Sequence, residues 1–484
     1  MTTLIASFRV TGSRIAATGV ALLVAACQLG PTYTEPPPVA IGSAWTVPVP
    51  DGQDARGLAE WWKSLDDPTL VRLIDTALAQ NLQLKQAVAR IAEARAWVAA
   101  SSARSMPAVT AGAGLAALHQ GVNGPLPAVG GQNKDIYFAG FDATWEIDLF
   151  GGVQRSVQSA EARMQATEED ANAVRISLAA EVARTYLTLR GAQHELAARR
   201  AGVETLKRAL ATAKRRFEAG DIALADVDVA RTRVDVAAAS LPAIEARIRG
   251  NALALGTLLG TVPEAELALV EQTAPMVALV ELPVGQRADL LRRRPDIRGA
   301  ERRLAGSYAD IGAAMAEMFP KLSITALGGF VALTPSTLVN SNSLNGVAAP
   351  LISWRIFDGG RVKAEIQGAE ARQNTAVLAY EGAVISALGD AERALSDFRF
   401  SREALARQDI ALASTQRDYA NADRRYTSGD IGLPEKLEAE RQLHQAEESV
   451  AVAQTAAATS LVALYKSLGG GWSGDRVVAD GARR

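Results

Sequence analysis

The 484-residue chain has one cysteine, three histidines and only 5% aromatic residues. A single thiol excludes an internal disulfide and any zinc site built on several cysteines. Positive charge is not in excess: 51 Lys and Arg stand against 53 Asp and Glu, so nucleic acid is not an expected partner. The histidines, His119, His194 and His444, are scattered, and His194-Glu195 lacks the second histidine of a zinc-hydrolase helix. With no phosphate loop or dinucleotide fingerprint either, neither an enzyme nor a metal or dissociable cofactor is expected. Past the N-terminus no window approaches eighteen uncharged apolar residues, which excludes a transmembrane helix there. Proline is missing from two long stretches, Pro127 to Pro242 and Pro350 to Pro434.

The one cysteine follows a distinctive segment. Arg9 and Arg14 precede an apolar run from Ile15 to Ala26 that ends in Val24-Ala25-Ala26-Cys27. The run is too short to span a bilayer and reads as a signal peptide, residues 1–26. Small residues directly before Cys27 resemble a lipobox, which implies a covalent lipid on Cys27 as the first mature residue. Gln28, where Asp resembles an inner-membrane retention signal, favours the outer membrane. Residues 27–50, rich in Pro, Gly and Thr, read as a lipidated tether.

The proline-free stretches are rich in Ala, Glu, Arg, Gln and Leu, with apolar residues at three- and four-residue spacing, as in Val362, Ile366, Ala369, Ala376, Tyr380 and Ala383. Glycines bound them, and the pattern predicts helices over 153–219 and 361–428, each about 100 Å long. Shorter helices follow over 221–259 and 430–468. The two halves match: Arg216-Phe217-Glu218-Ala219-Gly220-Asp221-Ile222 aligns with Arg425-Tyr426-Thr427-Ser428-Gly429-Asp430-Ile431 at an offset of 209, as do Leu259-Gly260 with Leu468-Gly469 and Trp145 with Trp354. Leu84, Ala87, Arg90 and Pro107 match Ile297, Ala300, Arg303 and Pro320 at an offset of 213. The chain is therefore a tandem repeat, 51–260 and 287–469, with a connector at 261–286 and a tail at 470–484.

Between the helices of each half lie alternating stretches near 108–119, 137–150, 322–333 and 347–357. Tyr137, Ala139, Phe141, Ala143, Trp145 and Ile147 alternate with Asp142, Thr144, Glu146 and Asp148, the pattern of an outer-membrane strand. Four strands cannot close a barrel, and an open edge cannot face lipid. Two chains give eight strands and a bore filled by side chains; three give twelve and a lumen. The helices make the same count, with about twelve staves around a tube of roughly 35–40 Å backbone diameter. The expected fold is mainly α with a small β-barrel contribution: a long α-helical tunnel plus four strands per chain, assembled as a homotrimer.

Further local matches run in order along almost the whole chain: Cys27-Gln28-Leu29-Gly30-Pro31-Thr32-Tyr33, Trp61-Trp62-Lys63, Asp67-Pro68, Asn81-Leu82, Arg293-Arg294-Pro295-Asp296-Ile297 and Phe319-Pro320. In these the sequence resembles the TolC-like outer-membrane factors, within them the NodT-type lipoproteins. The resemblance implies the outer-membrane channel of a tripartite efflux system, working with a periplasmic adaptor and an inner-membrane RND-type transporter. It places a periplasmic gate at Tyr426, Glu435, Glu438 and Asp226, and adaptor contacts at Arg216, Gly220, Arg425 and Gly429. Ile431 stands where some relatives carry a basic residue. Read without the resemblance, Glu435 and Glu438 are first-turn glutamates favoured by a helix N-terminus. A secretion conduit or passive porin, and a coiled-coil tether held only by Cys27, are the competing readings of the same features.

Overall fold

The computed structural model of the chain describes residues 29–42, 44–47, 58–119, 133–279 and 286–472. A 3-10 turn at Trp61–Leu65 leads into α1 (Pro68–Gln80) and α2 (Leu82–Ala103), then β1 (Ala108–His119) and β2 (Asn133–Ile147). Next come α3 (Gly152–Glu218), α4 (Leu224–Ala239) and α5 (Leu241–Leu258). The second series is α6 (Asp289–Arg293), α7 (Pro295–Ala316), β3 (Lys321–Ala332), β4 (Leu344–Ser353), α8 (Arg361–Thr427) and α9 (Leu433–Ser467). None of the described helices is both long and apolar enough to cross a membrane.

Each proline-free stretch contains one unbroken helix of 67 residues, α3 and α8. Side-chain carboxylates satisfy free amides at their starts: Asp148 accepts from the Gln154 amide at 2.8 Å and Asp358 from that of Val362 at 3.0 Å. The helix expected over 221–259 is two helices. Pro242 has no N–H and its ring opposes continuation, so the chain breaks at Ser240, whose hydroxyl is held by Arg199 at 2.9 Å. The matching segment of the second half has no such proline and stays one helix of 35 residues.

Two strands also differ from expectation. β2 stops at Ile147 rather than 150, because Phe150 leaves the sheet to stack on Phe319 at 4.8 Å. β4 starts at Leu344 and ends at Ser353, not 347–357: Leu344 pairs with Phe330, and after Ser353 the Trp354 indole donates to the Met318 carbonyl at 3.0 Å.

The chain forms two compact units. One combines residues up to Pro38 with Arg90–Thr167 and Gly299–Tyr380; the other combines Val39–Ala89, Glu168–Arg298 and the chain from Glu381. Each unit draws on both sequence repeats. Among its described residues the first contains one antiparallel sheet in the order β1-β2-β3-β4. The second contains the core, in which Trp61, Trp62, Leu70, Leu73, Ile74, Tyr186, Leu255, Leu461 and Tyr465 are all buried. There Trp61 stacks on Tyr465 at 4.7 Å. A polar chain runs beside it: Asp67 caps α1, Tyr186 donates to Asp67 at 2.7 Å, and Arg190 donates to the Tyr186 hydroxyl at 3.0 Å. Burial is the first cause raising the Tyr186 pKa, with Asp67 adding to it.

Candidate functional site

The sheet has two chemically different faces. Residues directly opposite one another share a face, so the register sorts the side chains into rows. Val109, Ala143, Ala326 and Ala348 form one row, Ala111, Phe141, Gly328 and Gly346 the next, and Ala113, Ala139, Phe330 and Leu344 a third. All three are apolar, and Phe141 is 64% exposed. Trp145 lies on the same face near the helix-joined end, its indole donating to the Ser105 carbonyl at 2.8 Å, an arrangement suited to a membrane–water interface.

The opposite face holds the polar side chains, Thr110 with Asp142, Thr144 with Thr325, and Glu146 with Ser323 and Lys321, set among Leu327, Val347 and Leu351. This polar face is the concave one. A Cβ placed on Gly140 would come within 2.9 Å of the Gly329 Cα, and one on Gly329 within 2.4 Å of the Gly140 Cα. Two backbones can close that far toward one face only where both residues lack a side chain. Among the described residues β1 and β4 each pair on one side only.

The two turns that end the long helices have nearly the same backbone. At the first, the Asp221 amide bonds to the Arg216 carbonyl at 2.8 Å and the Gly220 amide to Phe217 at 2.9 Å. At the second, Asp430 bonds to Arg425 at 2.8 Å and Gly429 to Tyr426 at 3.1 Å. This is the Schellman arrangement, which needs a left-handed residue; Gly220 has φ +80° and Gly429 +83°. The recurrence of Arg216, Gly220, Arg425 and Gly429 in the sequence thus has a local cause: arginine at the negative helix end and glycine at the turn.

The proposed gate residues separate into two groups. Asp226 and Glu438 come together, with the adaptor-contact residue Arg216 and with Arg233 and Arg441, around a cavity of about 390 Å³ between α3, α4 and α9. Arg441 grips Glu438 with two bonds of 2.9 and 2.6 Å, and this pair is the first cause holding the Glu438 carboxyl below the usual range. Asp226 folds back to accept from the Ala223 amide at 3.1 Å, capping α4. Glu435 is exposed and curls over Gly432, where an added Cβ would meet its Oε2 at 2.9 Å. Tyr426, 38% exposed, is faced by Lys436, whose ammonium lies 5.1 Å from the ring centroid and 2.5 Å from Asp423. Lys436 and Asp423 carry no signal in the sequence; the turn alone brings them beside Tyr426.

Cys27 lies outside the described residues, but the chain just after it is firmly seated. Arg155 of α3 donates to the carbonyls of Leu29 at 3.0 Å and Gly30 at 3.3 Å and to the Thr32 hydroxyl at 3.3 Å. Tyr33 donates to Glu301 at 3.0 Å.

A sheet with an apolar convex face, a polar concave face and two open edges, on a chain with two very long helices, defines a barrel-contributing membrane channel protein. The pattern of the outer membrane efflux protein family matches residues 73–261 and 287–470, and the chain belongs to that family. It is 33% identical over 480 residues to outer membrane protein OprJ of Pseudomonas aeruginosa, covering 96% of this chain and 97% of that one. It is 30% identical over 464 residues to the pyoverdine export outer membrane protein OpmQ of the same organism, covering 94% and 97%. The solved outer-membrane channel OprN superposes with a TM-score of 0.83 at 35% identity, covering 92% of this chain and all of that one. The chain is thus an efflux channel component of the outer membrane.

Proposed function

We propose that three copies of the chain close into one twelve-stranded barrel and one helical tunnel, forming the outer-membrane exit of a tripartite, RND-type efflux system. The observation that carries this reading is the sheet: an apolar convex face, a polar concave face and two edges that lipid cannot satisfy. The strands alternate in direction, so β4 of one copy meets β1 of the next antiparallel. Head-to-tail repetition of that contact closes a ring. Small molecules pass through the tunnel from a periplasmic adaptor and an inner-membrane transporter, and a covalent lipid on Cys27 adds a second attachment. The tips carry the gate, Tyr426, Asp226, Glu435 and Glu438, and Arg216, Gly220, Arg425 and Gly429 shape the turns that meet the adaptor. The protein moves solutes without chemistry and needs no cofactor.

Native mass measurement of the detergent-extracted protein, followed by single-channel recording in planar bilayers, tests the proposal. A trimer that conducts is expected. A conducting dimer or monomer overturns the strand count, and a trimer that never conducts leaves only the tether reading.

A further inference from the structure

On the concave face Gly114, Phe138 and Val331 form one row across β1, β2 and β3, in the half of the sheet away from the helices. The Phe138 ring lies over Gly114: a Cβ added there would sit 2.6 Å from Cζ and 3.0 Å from Cε1 of the ring. The missing side chain is therefore a seat, and the ring is laid along the wall instead of standing away from it. The ring and Val331 still present 42% and 45% of their surface. Toward the helices the same face carries the carboxylate of Asp142, with Leu327 opposite it, and that of Glu146, which the Lys321 ammonium meets at 3.8 Å. Along the strands the concave face thus passes from a stretch bearing the Asp142 carboxylate among polar and aliphatic residues to an apolar and aromatic one, with Lys134 beyond it toward the loop.

We propose that Phe138, seated on Gly114, is a specificity-determining residue of the conduit, giving the loop-side half of the bore an aromatic lining while leaving it open. This rests on the barrel reading above. The order along the strands suits lipophilic cations: the Asp142 carboxylates of three copies draw the charge in, and three symmetry-related rings then bind both its apolar surface and its charge. Small hydrated cations gain only the first.

The test uses the assembled channel in planar bilayers. Gly114→Val removes the seat and pushes the ring into the bore, so conductance falls about twofold or more, and adding Phe138→Ala restores it. Phe138→Ala alone weakens block by tetraphenylphosphonium about tenfold and leaves block by tetramethylammonium unchanged. Phe138→Cys, which adds no bulk, reports the side of the wall: in proteoliposomes a membrane-impermeant maleimide labels it and not Phe141→Cys, with the parent chain giving the Cys27 background. Labelling of Phe141→Cys alone overturns the proposal, as does conductance unmoved by Gly114→Val or unrestored by Phe138→Ala. A parent chain that does not conduct sinks the barrel reading instead.

Discussion

The two repeats close the same joint with different chemistry. In the first, Asn81, just before α2, donates to the Leu258 carbonyl at the end of α5 at 2.8 Å and accepts from the Leu84 amide at 3.0 Å. In the second, the matching residue is Arg294, just before α7, which donates to the Ser467 carbonyl at the end of α9 at 3.0 Å. The joint therefore selects a donor at one point in space, and a short amide or a long guanidinium serves. What differs is reach. Asn81 is buried and joins two helices, whereas Arg294 also donates to the Ala387 carbonyl of α8 and pairs with Asp390 and Asp296. The second joint ties three helices, and its bonds are charge-assisted.

The glycines beside these donors give the sharpest break. Gly260 and Gly469 both have φ +75°. A Cβ on Gly260 would sit 2.6 Å from the Gln80 carbonyl oxygen, one on Gly469 3.1 Å from that of Arg293, and those on Gly220 and Gly429 would meet nothing within 4 Å. Alanine costs about 1–2 kcal/mol for the left-handed backbone alone and about 1–3 more where atoms must move apart. Chemical unfolding midpoints should therefore rank Gly260→Ala as most damaging, then Gly469→Ala, then the two tip variants together. Equal losses at all four positions would show that the close approach contributes nothing.

Next in size, Arg294→Ala should cost about 2–3 kcal/mol and Asn81→Ala about 1–2, measured the same way. Hydrogen exchange sharpens the contrast: Arg294→Ala loosens α7, α8 and α9, while Asn81→Ala loosens only α2 and α5. Matching exchange patterns would count against the difference in reach.

The smallest effects are at the tips. Lys436 has no polar counterpart in the first tip, where Val227 is buried. Lys436→Met should destabilise the second tip by about 0.5–1 kcal/mol, seen as faster exchange around Asp423 and Tyr426, with the first tip unchanged. The Asp423 bond raises the Lys436 pKa, so its contribution is complete at neutral pH and lost only as pH rises through the raised value, above about 10.4. Glu438 runs the other way: its lowered pKa gives a contribution present above about pH 4.3 and lost as pH falls through the folded value. Half-exposed, that pair is worth under about 1 kcal/mol, and Glu438→Gln should abolish its pH dependence.

The long helices were legible because proline and glycine punctuate a chain that otherwise favours helix everywhere. Pro242 was equally visible, yet the alignment with the unbroken second half hid the break at Ser240. The apolar face of β2 could be read from alternation alone. β4 could not, because its register depends on Phe330 meeting Leu344, a pairing that local composition does not encode. Lys436 beside Tyr426 and Asn81 beside Leu258 are products of the turns and joints, so no spacing rule would have found them.

The central pairing of the sheet joins strands from different halves of the chain: Ile147 of β2 meets Leu322 of β3. Until the second half has been made, β1 and β2 are a lone hairpin, a structure of marginal stability in water. Closing the long loop between them precedes any reward from the contact, so sheet completion is expected to be a late and slow folding event. The exposed edge of β2 is meanwhile a pairing hazard, open to another chain until β3 covers it.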